Sequence, residues 1–175
     1  MGSSMSNQDA SEDTVQPNVV QSVNFGGPSS KPFRVLIVDD LAENRLRLGL
    51  CCDQFGAIHE EVASGREAVE AAQSRSFDVI LMDILMPGMD GMAATRAIRA
   101  LPGRVSSVPI IAVTPAAAPG EVLRYLSCGM TDVVPKPVDP ARLAEAISAA
   151  LAQAGPSGGA GRRKAAGRRA AERAA

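Results

Sequence analysis

Tryptophan is absent from this chain, and aromatic residues amount to 3% of its 175 positions. Any core must therefore be assembled from Val, Ile, Leu, Met and Ala. Histidine occurs once, as His59, and the three cysteines, Cys51, Cys52 and Cys128, lack the paired spacing of a metal site. A zinc centre of the usual Cys/His type is excluded on that count, and reduced thiols in a cytoplasmic protein are the simpler reading. No apolar run approaches the roughly 18 residues of a membrane span. The first residues show no basic segment followed by an apolar stretch, so no secretory signal is expected. Gly2, Ser3 and Ser4 before a second methionine, Met5, read as a cloning remnant.

What is present is 46% hydrophobic and 21% charged residues, enough for one globular domain. The net charge of −1 is unevenly spread. Residues 1–30 carry three acids and no Lys or Arg, whereas residues 156–175 carry six basic groups and one acid. We expect residues 1–30 to be a disordered extension, 31–153 the folded domain, and 154–175 a flexible basic Ala/Arg tail.

Within the middle, short β-branched runs alternate with helical patterns. Strands are predicted at Phe33–Val38, Val79–Met82, Ile110–Thr114 and Asp132–Val134, with a weaker one at His59–Ala63. Most are continuously apolar, as in a parallel sheet covered on both faces. Helices are predicted at about Glu43–Gln54, Gly65–Gln73, Gly91–Ala100, Pro119–Cys128 and Pro140–Ala152. In the last, Leu143, Ile147 and Leu151 share one face, and Asp139-Pro140 provides a cap and an N-terminal proline. Five alternations imply an α/β fold with right-handed crossovers.

The chemistry-bearing residues stand at the carboxyl ends of these strands: Asp39 and Asp40 after the first, Asp83 ending the third, Thr114 ending the fourth, and Lys136 after the fifth. In an open parallel sheet those ends share one rim, where ligands bind near the reversal of strand order. Three clustered carboxylates repel, and a hard divalent cation such as Mg²⁺ relieves the repulsion. A cation and an ammonium beside a carboxylate stabilise a transferring phosphoryl group, and a carboxylate can itself be the nucleophile.

The runs Val35-Leu36-Ile37-Val38-Asp39-Asp40, Asp83-Ile84-Leu85-Met86-Pro87-Gly88-Met89-Asp90-Gly91, Pro109-Ile110-Ile111-Ala112-Val113-Thr114 and Lys136-Pro137 are similar, in order and register, to the response regulator receiver family of two-component signalling. The resemblance covers about residues 33–153. Asn44-Arg45 and Pro119-Gly120 resemble the receivers of hybrid histidine kinases. The resemblance implies a flavodoxin-like (βα)5 fold with a five-stranded parallel sheet of order 2-1-3-4-5 and helices on both faces. It implies phosphorylation of Asp83 by a histidine kinase or phosphotransfer protein, with Mg²⁺ bound by Asp40, Asp83 and the Leu85 carbonyl and helped by Asp39 through water. It also implies that Thr114 and Lys136 engage the phosphoryl group, that the Lys136–Pro137 bond is cis, and that a downstream protein target reads the state. Such a domain is a cytoplasmic signalling module rather than a turnover enzyme.

Four positions depart from the family pattern. Val133 replaces a common aromatic, Pro115 lacks the N–H that would bond a phosphoryl group, and Leu85 and Ala116 replace polar residues that orient a hydrolytic water. The loss of that water predicts slow dephosphorylation, while Pro115 works against a stable phosphoryl adduct. Two other functions remain open: a phosphorylation-independent adaptor, and a receiver fragment of a hybrid kinase. A haloacid-dehalogenase-type phosphatase lacks support, because the second neighbour of Asp83 is Leu85 rather than Asp. His59 is expected to be a partly exposed structural residue without partners. The basic tail is expected to be solvated, with weak nucleic-acid contact as the alternative.

Overall fold

The computed structural model describes residues 32–115 and 118–154. Five strands alternate with five helices in them: β1 Arg34–Val38, α1 Ala42–Gln54, β2 Ile58–Val62, α2 Gly65–Ser74, β3 Val79–Asp83, α3 Gly91–Arg99, β4 Ile110–Pro115, α4 Pro119–Ser127, β5 Asp132–Lys136 and α5 Pro140–Ala154. All four strand pairings are parallel and the spatial order is β2-β1-β3-β4-β5. A short 3-10 turn at Arg104–Ser107, which the sequence pattern had not suggested, leads into β4.

The period-2 alternation of a strand divides the apolar residues between two layers. Leu36, Val38, Ile80, Met82, Ile110 and Ala112 face α2, α3 and α4, packing with Ala68, Ala94, Ile98 and Tyr125. Val35, Ile37, Val79, Leu81, Ile111, Val113 and Val134 face α1 and α5, meeting Leu48, Cys52, Leu143 and Ile147. Each fully buried aliphatic side chain contributes about 1.5–3 kcal/mol. The sheet is buried on both faces, which is why β1, β3 and β4 read as unbroken apolar runs. β2 lies at the edge and carries His59, Glu60 and Glu61, so its signal in the sequence is weak.

Helix ends follow local chemistry. Ser64 caps α2 by accepting from the Glu67 N–H, and the Glu67 carboxylate accepts in return from the Ala63 N–H. Asp90 caps α3 at 2.6 Å from the Ala93 nitrogen, and Asp139 accepts from the N–H groups of Ala141 and Arg142. At the start of α4, Ala118 has no side-chain oxygen to offer, so only the return bond forms, from the Ala118 N–H to Glu121. Gly129, with φ of +106°, turns the chain from α4 toward β5.

Expected and observed elements agree to within one or two residues at each end. α5 runs to Ala154, one residue past the domain limit expected from the sequence. Beyond it, the expectations for residues 1–30 and for the basic tail, and that for Ala116, fall outside the described residues. His59 departs from its reading. It is half-buried, but it has partners: Nδ1 lies 3.3 Å from Asp53 and Nε2 3.8 Å from Glu61. A helix residue and a strand residue meet it there, a tertiary arrangement with no local sequence signature.

Candidate functional site

The rim formed by the carboxyl ends of β1, β3, β4 and β5 brings the expected residues together. β1 pairs with both β2 and β3, so strand order reverses at β1. Asp39 and Asp40 follow β1, Asp83 ends β3, Thr114 occupies the end of β4, and Lys136 is the last residue of β5. Asp39, Asp40 and Asp83 each place one carboxylate oxygen so that all three oxygens lie within 4.8 Å of one another.

Asp39 is fully buried, and its oxygens are occupied. Oδ1 accepts from the Leu41 N–H and from the Asn44 amide, both at 3.0 Å, and Oδ2 accepts from Lys136 at 2.7 Å. The Arg45 guanidinium donates to the carbonyls of Asp39 and Asp40 at 2.7 and 3.2 Å, fixing the turn that carries both acids. The sequence had offered Asn44 and Arg45 only as marks of resemblance. Here they hold the acidic turn in place.

Asp83 is buried too, but its two oxygens differ. Oδ2 lies 3.1 Å from Lys136 Nζ, whereas Oδ1 is buried without any hydrogen-bond partner. Burial pushes the Asp83 carboxyl above its ordinary range. The Lys136 hydrogen bond and charge pull it back, the neighbouring Asp39 charge raises it further, and the Leu85 N–H lowers it. An orphaned carboxylate oxygen is costly to bury unless a partner arrives. The donor set is all oxygen and carries three negative charges against one ammonium, which suits a hard cation such as Mg²⁺. The residues therefore fit the metal.

Close packing holds this geometry. A Cβ at Gly91, the first residue of α3, would stand 2.1 Å from the Asp83 carbonyl oxygen. Glycine at that position lets α3 start against the acid-bearing end of β3. Leu85 projects into solvent, 68% exposed, and Pro115 is exposed at the end of β4 beside Lys136. The Lys136–Pro137 bond is cis, as the resemblance implied. Beside the acids opens a cleft of about 520 Å³, lined among others by Asp40, Leu85, Met86, Glu121, Arg124 and Tyr125. Tyr125 had drawn no attention in the sequence. It is buried against the same apolar layer as Ile98 and Ala112.

The sequence profile of the response regulator receiver domain matches residues 35–148. The chain belongs to this family. It is 40% identical over 143 residues to the sensor protein GacS of Pseudomonas syringae, covering 80% of this chain and 16% of that protein. It is 40% identical over 115 residues to the signal transduction histidine-protein kinase BarA of Escherichia coli, covering 66% of this chain and 12% of that one. The receiver thus spans less than a fifth of the length of these curated relatives. Among solved structures, the receiver domain of a Pseudomonas aeruginosa sensor histidine kinase superposes with a TM-score of 0.65 at 34% identity. It covers 70% of this chain and 99% of that one, and it has magnesium coordinated in its active-site cleft. Vibrio cholerae chemotaxis protein CheY4 gives a TM-score of 0.65 at 30% identity, covering 69% of this chain and 100% of that one. The receiver is of the kind found in hybrid histidine kinases and response regulators, and its fold is the (βα)5 arrangement of CheY-like receivers. Among the described residues, no helix is long and apolar enough to cross a membrane.

Proposed function

We propose that this receiver accepts a phosphoryl group on Asp83 from a histidine kinase or a histidine phosphotransfer protein and passes the signal on by contact with a downstream protein. The observation that carries the reading is the Asp83 carboxylate itself. One oxygen is tied to Lys136, and the other is buried, unpartnered and beside two further acids. A carboxylate oxygen without a hydrogen-bond partner, next to the acids at the sheet rim, is available as a nucleophile.

In the transfer, an Asp83 oxygen attacks the phosphorus of a phosphohistidine, a new O–P bond forms, and the P–N bond breaks to leave a neutral imidazole once a proton is taken up. Asp40, Asp83 and the Leu85 carbonyl are the groups that would hold Mg²⁺. Asp39, whose oxygens already accept three hydrogen bonds, would act on it through water. When bound there, the ion would supply positive charge that offsets the negative charge of the phosphoryl group. Lys136 spans Asp39 and Asp83 at rest and is in reach to pair with the phosphoryl group on Asp83. Thr114 supplies a hydroxyl to it. Turnover of a separate substrate is not part of this function; the phosphorylated aspartate is itself the signal, and we place the domain in the cytoplasm.

A second reading has a specific observation behind it. Matched relatives carry the receiver as 12–16% of a longer kinase, which favours a receiver working as one segment of a hybrid kinase; the phosphoryl donor is then in the same polypeptide or its relay partner. A phosphorylation-independent adaptor role rests on Val133 and Pro115 alone. To test the main reading, a phosphorylated histidine phosphotransfer protein is mixed with the chain and Mg²⁺. Label should move to the chain and fail to move to Asp83→Asn; equal labelling of the variant would refute the assignment.

A further inference from the structure

Asp39 and Asp40 stand side by side after β1, yet the fold holds them by different means. The Asp39 carboxylate accepts hydrogen bonds from Leu41, Asn44 and Lys136. Asp40 has no such support. Among the described residues, its one hydrogen bond is made by its backbone, where the carbonyl accepts from Arg45 Nη1 at 3.2 Å. The same nitrogen donates to the Asp39 carbonyl at 2.7 Å. The Asp40 carboxylate is thus aimed at the other two acids by its backbone alone, and one guanidinium fixes that backbone.

Arg45 is itself held from the edge of the sheet. Its Nε lies 3.4 Å from Glu61 Oε2, and Glu61 Oε1 lies 3.8 Å from His59 Nε2. Arg45, Gly49 and Asp53 recur every four residues, so they share the face of α1 that meets β2. A Cβ at Gly49 would stand 2.9 Å from His59 Nε2 and 3.4 Å from Glu61 Oε1, so glycine lets those two side chains lie against the helix. On its other side His59 reaches Asp53. The guanidinium is a planar fork, and engaging Nε and Nη1 at once fixes its orientation. As a part-exposed ion pair the Arg45–Glu61 contact adds little stability. As a brace it sets where Arg45 holds the acidic turn. We propose that Glu61, on the edge strand, is a positioning residue for the divalent-cation site, acting through Arg45 on the turn that carries Asp40. The inference rests on the acid cluster holding Mg²⁺, as the proposed function requires.

Charge and positioning predict opposite signs for Arg45. A positive group beside a cation site weakens it, so on charge alone removing Arg45 would tighten Mg²⁺ binding. The full chain is titrated with magnesium chloride, and the backbone amides are followed by nuclear magnetic resonance, which reports both the fold and the shifts of residues 39–41. High ionic strength screens the exposed charge of Glu61. Arg45→Met should raise the Mg²⁺ Kd roughly three- to tenfold, the loss expected of one or two positioning hydrogen bonds. Glu61→Gln should raise it roughly two- to fivefold, and should add nothing in the Arg45→Met background, because its effect passes through Arg45. Tighter or unchanged binding in Arg45→Met, or an equal effect of Glu61→Gln in both backgrounds, would overturn the inference and leave the cation site standing. If Arg45→Met does not fold, Glu61→Gln alone decides, and an unchanged Kd overturns the inference. A wild-type chain with no response to Mg²⁺ at these amides would overturn both.

Discussion

Lys136 holds two buried acids apart from mutual repulsion, and replacing it with methionine isolates that role. Its ammonium lies 2.7 Å from Asp39 Oδ2 and 3.1 Å from Asp83 Oδ2, with most of the lysine side chain shielded from solvent. At an effective dielectric of about 20, a pair roughly 3 Å apart attracts by about 5–6 kcal/mol, and two like charges at the far limit of the acid cluster repel by about 3–4 kcal/mol. Desolvation offsets much of the attraction in the intact site, but removing the cation alone leaves the acids uncompensated. Lys136→Met should therefore cost about 3–5 kcal/mol of stability in the presence of chelator, a large part of a typical domain's total. The assay is urea unfolding, repeated with Mg²⁺, which should stabilise the variant more than wild type because its site is more negative.

The pH dependence has a fixed sign. The Asp83 carboxyl lies above its ordinary value of 3.8 in the folded protein. Its titration therefore favours the fold below that value and loses this contribution as pH rises through the higher folded value. The Lys136→Met penalty should accordingly shrink toward acid, as the crowded acids take up a proton. A loss below about 1 kcal/mol in chelator, constant across this range, would refute the reasoning.

Other expectations are simpler to state. Gly91→Ala should lower stability by roughly 1–3 kcal/mol or more, because its Cβ meets backbone rather than a yielding side chain; an unchanged melting midpoint would contradict the packing described. Burial pushes the Cys52 thiol up to about 12, with the charges of Cys51, Asp53 and Glu61 adding to it. Cys52 should therefore stay unmodified by a thiol reagent in the native chain near the usual thiol pKa of about 8.5 and react once urea unfolds it. The exposed Leu85 offers no polar group to a hydrolytic water, so the acyl phosphate should persist for minutes or longer, and Leu85→Asn should shorten its life without affecting the fold. Loss of wild-type phosphate within seconds would contradict this.

Much of the fold was legible because burial on both faces of the sheet leaves a plain mark. Val35 to Val38, Val79 to Met82 and Ile110 to Val113 are apolar at every position, and only a covered parallel strand needs that. The site was legible for a related reason: the ionisable residues stand where those runs end. The edge strand β2 was harder, since Glu60 and Glu61 interrupt its pattern and meet arginines from elsewhere in the fold. Strand order came through resemblance rather than periodicity. Tyr125 was hidden because α4 offers Val122, Leu123 and Leu126 as equally plausible inward residues, yet Leu123 and Leu126 face solvent. Which face of a short helix is buried depends on the crossing of its neighbours, and no single turn of sequence encodes that. The orphaned oxygen of Asp83 was equally invisible, because it follows from where Lys136, Asn44 and Leu41 direct their hydrogen bonds.

The central claim is that Asp83 carries the phosphoryl group, and locating the modification tests it most directly. After incubation with Mg²⁺ and a small acyl phosphate, peptide mass spectrometry following borohydride trapping should find homoserine, the reduction product of the acyl phosphate, at position 83, with none in chelator and none in Asp83→Asn. Modification at another residue, or at Asp83 to the same extent without a divalent cation, would contradict the account.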